Sequence, residues 1–456
     1  MARKKSAEEL MLEAELQAAE GNVRPAPRAA SVHEDVSLPD VEKAATSRKP
    51  RLRERIKPKV VAIILGTIVV VLVIAFAVSR VMFANSTDVW DGTADTTWYS
   101  EGMKSMNITT AEQLAGMRKL CNDGVTLEGI SFRLARNLDL YDIPTKPIGD
   151  GFNDQGKVRE FCGSFDGCGH TISGINIEED MWDHAGLFGC VSDGDIKNLT
   201  VEGRVVGQVR VGGVVGEMSG GSLVNLTNRC KVSSIKTATS YYPVSADVGG
   251  VCGIWLGIGH DGVSKADLSN LVNEGEVSAR ACSAGGVIGT LANSNGFTVS
   301  VSDLRNEGSV TVYCESDDRD EAVGGVIGVI GALGTDLVSK LENNGEVSCS
   351  TVLSVGGVIG ALMAPQREKS QGSAGGHTEG IELKGLKNTA RIAANADDVR
   401  AHVGGIVGYL DDPDVVFDDC VNEGELAATN GNASELYATN GEEVWDEWED
   451  THPRQW

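Results

Sequence analysis

Apolar and polar positions follow three different patterns along this chain. Residues 60–78 read VVAIILGTIVVVLVIAFAV, nineteen positions without a charge. A helix rises about 1.5 Å per residue, so the run spans roughly 28 Å, close to the hydrocarbon thickness of a bilayer. A buried helix of a globular domain would keep a polar stripe, and only Gly66 and Thr67 interrupt this one. The pattern predicts a transmembrane helix over 60–79. Ahead of it, Ser6-x-x-Glu9 is a capping box opening SAEELMLEAELQAAEG, a short helix on an otherwise disordered tail that docks a partner at most. Behind it, ITTAEQLAGMRKL at 108–120, opening at Thr109-Thr110, predicts a second helix. From about residue 125 short Val- and Ile-rich runs end in Gly or Asn-x-Gly, without helical periodicity, and read as strands and turns.

Those strands repeat. One phrase occurs as VGGVVG (211–216), VGGVCG (248–253), AGGVIG (284–289), VGGVIG (323–328 and 355–360) and VGGIVG (403–408), with a variant AGLFG at 185–189. A second alternates with it: LTNRCKV (226–232), LVNEGEV (271–277), LRNEGSV (304–310), LENNGEV (341–347), LKNTARI (386–392) and CVNEGEL (420–426). Apolar residues three apart across Gly-Gly cannot share a strand face unless the glycines form a bulge or corner. One such unit buries too little to fold alone, and stacked copies bury a continuous core. The expected architecture is a parallel β-helix over 125–427, each repeat supplying two rungs. Roughly 20–24 residues per turn would give about 13–15 rungs and a rod of roughly 60–70 Å. The asparagines at 228, 273, 306, 343, 388 and 422 should occupy equivalent turns, either capping their own turn or stacking as an amide ladder.

Charge sets the orientation. Arg48, Lys49, Arg51, Arg53, Arg55, Lys57 and Lys59 precede the apolar run, and Asp88, Asp91 and Asp95 follow it. Positive charge stays inside, so residues 1–59 are expected in the cytoplasm, their basic end touching anionic lipid, and the rest outside. Ala75-Phe76-Ala77 fits a signal-peptidase site, but a leader of that kind would carry an n-region of nearly sixty residues. An uncleaved anchor is the expectation. Residues 80–124 then form a linker and capping helix, and 428–456 an acidic tail containing tryptophans. All ten cysteines lie on the outer side, which permits disulfides in an oxidising compartment.

Composition excludes some classes. Fifty-six glycines against 11 prolines, without a G-X-Y period, exclude collagen. A net charge of −25 excludes nucleic acid as a partner, because phosphate binding needs clustered Lys and Arg.

VWDGTADTTWYSEG (89–102), the 108–120 helix, FRLARNLDL (132–140), PIGD (147–150), GSFDGCGHTISGINI (163–177) and GLFGCVSDGDIKNLTVEG (186–203) follow in the order found in bacterial surface proteins with GLUG motifs. Over about 88–427 the chain resembles that family. The resemblance implies a right-handed, pectin-lyase-like β-helix, exported and adhesin-like. The chain lacks a cell-wall sorting signal at its C-terminus, which leaves the membrane helix as anchor.

Catalytic patterns are sparse. There is no HExxH among the seven histidines, and no cysteine spacing matches a zinc motif. Gly257-x-Gly259-x-x-Gly262 opens no helix, and 151–158 resembles a P-loop without its Ser/Thr, reading instead as a turn before a strand. The acid pairs 317–318, 397–398, 411–412 and 418–419 fall at different offsets, so they read as solvated turns rather than the converging carboxylates of glycoside chemistry. Asp193-Gly-Asp195 is a weak calcium candidate. Phe165-Asp-Gly-Cys168-Gly-His170 brings thiol and imidazole together, but reads as a tight turn between the first two rungs, with His170 structural. Asn85, Asn107, Asn198, Asn225 and Asn432 lie in NxS/T sequences, glycan acceptors in a eukaryote and turns in a bacterium.

The expected function is therefore a membrane-anchored, surface-displayed solenoid, adhesin-like or structural, without catalysis, cofactor or metal. A carbohydrate-active lyase or hydrolase is the alternative. An extracellular glycan or protein ligand would meet the segments after each VGGVxG phrase (217–221, 254–267, 290–300, 329–338, 361–380 and 409–414), which all leave one point of the repeat. Trp255, His260, Arg367, Lys369 and His377 are the candidate binding residues there.

Overall fold

The computed structural model describes residues 89–152, 158–178, 184–235, 246–258, 265–280, 282–293, 298–313, 322–331, 337–350, 354–363, 381–395, 402–410, 415–429 and 432–438. The chain divides into two compact units, Met1–Ser86 and Thr87–Trp456. The first, with the tail helix and the 60–79 segment, lies outside the described residues. No helix among the described residues is long and apolar enough to cross a membrane.

The described part of the second unit is a parallel β-solenoid of three sheets. A long sheet collects Ser105–Ile108, Ser131–Leu134, Ser164–Glu178, Ile196–Gly207, Leu223–Ser234 and their later counterparts. Two further sheets hold eight strands each. One runs from His184–Ala185 through Arg210–Gly212 to Asn432–Ser434, the other from Phe188–Ser192 through Val215–Ser219 to Tyr437–Ala438. The VGGVxG phrase is the corner between these two sheets. Its first Val-Gly ends one strand, the next Gly-Val turns the chain, and the last two residues open the other.

Each repeat makes one rung, not two. Gly212 pairs with Gly249, Gly249 with Gly285, Gly324 with Gly356 and Gly356 with Gly404, so every phrase lies directly on the next. The long sheet therefore counts ten rungs, spanning roughly 43 Å at about 4.8 Å each, shorter than expected. The expectation of 20–24 residues per turn overlooked that one turn crosses three sheets and their connections. The solenoid also runs past residue 427, because Asn432–Ser434 and Tyr437–Ala438 complete the last rung.

The interior is built of apolar columns. Leu199, Leu226, Leu271, Leu304, Leu341 and Leu386 are all buried, as are Val214, Val251, Val287, Val326, Val358 and Ile406. Each such side chain contributes about 1.5–3 kcal/mol by leaving water. Between the columns runs an asparagine ladder. Asn228 Nδ2 donates to Asn273 Oδ1 (2.8 Å), Asn273 to Asn306 (2.8 Å), Asn306 to Asn343 (2.9 Å), Asn343 to Asn388 (2.9 Å) and Asn388 to Asn422 (2.8 Å). Each Nδ2 also donates to the carbonyl two residues on, and each Oδ1 accepts that residue's N–H. The two expected roles, turn cap and ladder, are filled by the same side chain.

The N-terminal end is covered. Helix α1, Ala111–Asn122, is capped by Thr110, whose side chain accepts from Gln113 N. It buries Leu114, Ala115, Met117 and Cys121 over an aromatic cluster of Trp98, Phe132, Phe161, Phe165 and Phe188, with ring centroids 5.1–5.9 Å apart. Covering the first rung hides its strand edges and apolar floor from other chains.

Candidate functional site

The expected binding residues do not form a site among the described residues. Trp255 is the correction. It sits in the strand Cys252–Leu256, fully buried, with Nε1 donating to Gly221 O at 3.2 Å. The strands after these two corners run five residues each, so Glu217–Ser219 and Ile254–Leu256 belong to the third sheet and not to loops. His260, Arg367, Lys369 and His377 lie outside the described residues.

The other motifs are also used structurally. Cys168 and His170 do not pair, and they sit inside the long strand Ser164–Glu178 rather than in a turn between rungs. Arg133 Nη2 donates to Cys168 Sγ (3.4 Å), and His170 Nδ1 is 3.1 Å from Asn137 Oδ1. Cys168, at φ +53°, bends the strand, and Asn198, Asn225, Asn270 and Asp303 adopt the same left-handed conformation on later rungs. Asp166 Oδ1 accepts from Cys168 N and from Asn198 Nδ2, whose Oδ1 accepts from Asn225 Nδ2 and so on to Asn270. Asn198 and Asn225 are two of the five NxS/T positions, and with Asn270 they form a second, exposed ladder at this bend. Asp195 Oδ1 holds Ser222 N, and Asp418 pairs with Lys384. The strands Gly151–Phe152 and Val158–Arg159 form an antiparallel pair, not the start of a P-loop helix. The described cysteines 121, 162, 168, 190, 230, 252, 349 and 420 are free thiols, so none of the disulfides that an even count allows forms among them. Cys230, Cys252 and Cys349 are buried in separate rungs, and burial raises the Cys121 thiol of helix α1 to about 12 and the Cys162 thiol to about 11.

Chemistry concentrates at the first corner. The residue before each corner phrase and the residue after it form two columns: His184 and Cys190, Arg210 and Glu217, Asp247 and Ile254, Ser283 and Thr290. Towards the C-terminal end the column after the phrase becomes apolar, where Val329, Ala361 and Tyr409 pack with Ala322 as a cluster separate from the main core, while the column before it keeps the buried polar residues Ser354 and His402. At the N-terminal end it is ionisable and buried. His184 Nε2 is 2.8 Å from Glu217 Oε2, and Arg210 Nη1 is 3.0 Å from the same nitrogen and in contact with the same oxygen. Cys190 Sγ, His184 and Glu217 offer ligand atoms within 4.8 Å of one another. Burial pushes the Glu217 carboxyl up, but hydrogen bonds from His184 and Arg210 outweigh it and hold the group below its ordinary value. The Cys190 thiol is pushed up by burial and then by Glu217. Nearby, Asp150 pairs with Arg159 at 2.9 Å, its carboxyl raised by burial against that cation's pull.

The sequence held a signal for this cluster. Aligning AGLFG with VGGVVG sets His184 beside Arg210 and Cys190 beside Glu217, four reactive side chains at equivalent points of adjacent rungs. Linear spacing hides it, since the ligand atoms come from different turns.

No protein-family model matches the chain. It is similar to halomucin of Haloquadratum walsbyi, 28% identical over 160 residues, covering 28% of this chain and 2% of halomucin's length. The chain thus corresponds to a small fraction of that relative. Among solved structures it is similar to a protein assigned provisionally as an immunoglobulin A1 protease from Bacteroides ovatus, at 20% identity and TM-score 0.43, over 74% of this chain and 82% of that one. A likeness at that level carries no argument about activity.

Proposed function

We propose that the chain is a single-pass, surface-displayed β-solenoid of the GLUG-motif kind, adhesin-like or structural and non-catalytic. The uncharged run at 60–78 anchors it, with the basic N-terminal side in the cytoplasm. The coil is right-handed, as parallel crossover connections overwhelmingly are. One observation carries the binding reading. The repeated residues serve the scaffold, as columns, ladder and corner, while the connecting segments differ in length and leave equivalent points of the stack. Ser219 is followed by the next long-sheet strand at Leu223, whereas its counterpart Met363 is followed by one at Glu382. A rigid scaffold with variable segments along one edge is the arrangement in which recognition resides in the segments.

Whole-cell protease shaving of the full chain tests topology, with epitopes placed near residue 5 and after Ala438. Loss of the C-terminal epitope while the N-terminal one stays protected is expected. Protection of both in intact cells overturns the surface assignment. Glycan and protein arrays probed with the detergent-solubilised full chain then read the ligand class. Polysaccharide cleavage by the same preparation would overturn the non-catalytic reading.

A further inference from the structure

The contacts around His184 are over-determined. Arg210 Nη1, His184 Nε2 and Glu217 Oε2 form a triangle with every edge at 3.0 Å or less. If Nε2 carries the proton, it donates to Glu217, and the Arg210 N–H then points at another donor. If Nε2 carries a lone pair, it accepts from Arg210 and faces a carboxylate oxygen at 2.8 Å, acceptor against acceptor. No protonation state satisfies all three edges. Arg210 is also poorly held, since its Nε is buried without a hydrogen-bond partner. The position of Arg210 Nη1 is one at which a nitrogen and an oxygen lone pair converge on positive charge, with a sulfur nearby.

We propose that His184, Cys190 and Glu217 form a binding site for a thiophilic divalent cation of the zinc class, which takes the place of the Arg210 guanidinium. The donor set is imidazole, thiolate and carboxylate, a combination that favours Zn²⁺ over the hard cations Ca²⁺ and Mg²⁺. Its supports are present. Ser219 Oγ lies 3.5 Å from Glu217 Oε1, leaving Oε2 for the ion, and Gly151 packs against His184 Nδ1, leaving Nε2. A Cβ at residue 151 would come within 2.8 Å of that Nδ1. The Arg210 side chain is 32% exposed, so it reaches solvent when displaced. Because His184 and Cys190 belong to one rung and Glu217 to the next, the ion staples the first two turns of the smaller sheets where the stack begins. On binding, the Cys190 thiol releases its proton to solvent and Sγ bonds the metal as thiolate, with no redox change.

The test is a Co²⁺ titration of the full chain after chelator treatment. One equivalent is expected to give a near-ultraviolet thiolate-to-cobalt charge-transfer band, which Zn²⁺ abolishes by competition. Arg210→Met should bind at least as tightly as the wild type, because a competing cation is gone. Glu217→Gln should weaken binding by at least the roughly 10–100-fold typical of losing an outer-shell partner. Cys190→Ser should lose the band, and His184→Gln provides a second reading should Cys190→Ser fail to fold. Zn²⁺ should also raise the unfolding midpoint of the wild type and leave that of Cys190→Ser unmoved. The proposal is overturned if neither wild type nor Arg210→Met gives a one-equivalent band. It is equally overturned if the band survives both Cys190→Ser and His184→Gln.

Discussion

A Cβ placed on Gly213 would lie 2.0 Å from Oδ1 of Asn228. The second glycine of the corner phrase thus rests on the asparagine of the second phrase, and the contact recurs as Gly250 on Asn273, Gly286 on Asn306, Gly325 on Asn343, Gly357 on Asn388 and Gly405 on Asn422. The two phrases that alternate along the chain are the two halves of one contact in six successive rungs. Side-chain space excludes a Cβ there, since none of these glycines adopts a positive φ.

Gly213→Ala should therefore destabilise the protein by at least the upper end of the usual overpacking cost, about 3 kcal/mol, because backbone of the next rung blocks retreat as well. Gly331→Ala is the control. Among the described residues its Cβ would meet only Leu291 O, at 4.0 Å, so stability should hold. Urea denaturation of both variants reads the difference.

Asn306→Ala removes two ladder bonds and two turn bonds inside the core. Orphaned buried groups cost about 1–3 kcal/mol each, so the loss should exceed about 3 kcal/mol. Asn422→Ala, at the partly buried end of the ladder, leaves groups that water can reach, and should cost about 1 kcal/mol. Equal losses at the two positions would contradict the ladder as an energetic unit.

Trp255→Ala should cost about 3–5 kcal/mol, the effect of emptying a buried indole site. Trp255→Phe should recover most of that. If ligand capture is found for this chain, Trp255→Phe should leave it intact, because the indole is covered by its neighbours.

Asp166 gives a pH signature. Burial is the largest single influence and raises its carboxyl, but the hydrogen bonds from Asn198 and from the Cys168 amide, with the charge of Lys197, together outweigh it and lower the group in the folded state. A carboxyl lowered on folding stabilises the fold above its unfolded value of about 3.9. That contribution is lost as pH falls through the folded value. Asp166→Asn should flatten the acid limb of a stability–pH curve below about pH 4 and leave its neutral region nearly level. An unchanged acid limb would place the titration elsewhere.

Deleting 366–378 should leave the thermal midpoint unchanged. Met363 aligns with Ser219 and Leu383 with Leu223 through the intervening rungs, and only three residues join Ser219 to Leu223. The shortened connection keeps six residues between Met363 and Leu383, enough to reach. A large drop in the midpoint would make the segment part of the core.

Much of this molecule was legible in its sequence because the repeat states the same constraint six times. Val and Ile flanking Gly-Gly required a bulge or a corner, and Asn at one offset in every copy pointed to an equivalent position. Thr109-Thr110 announced helix α1 by capping chemistry that is local. What the sequence could not give was the number of sheets in one turn, because a rung's length depends on how strands close around the core and not on any local residue. That decision set one rung per repeat and with it the length of the stack. Trp255 misled for a related reason: the glycine-rich run 257–262 that follows Leu256 reads as a loop, while the indole is enclosed by Gly221 and the strands of adjacent rungs. The same cause hid the His184, Cys190 and Glu217 cluster. Stacking brings residues 27 or more positions apart within bonding distance, and only the register decides which meet.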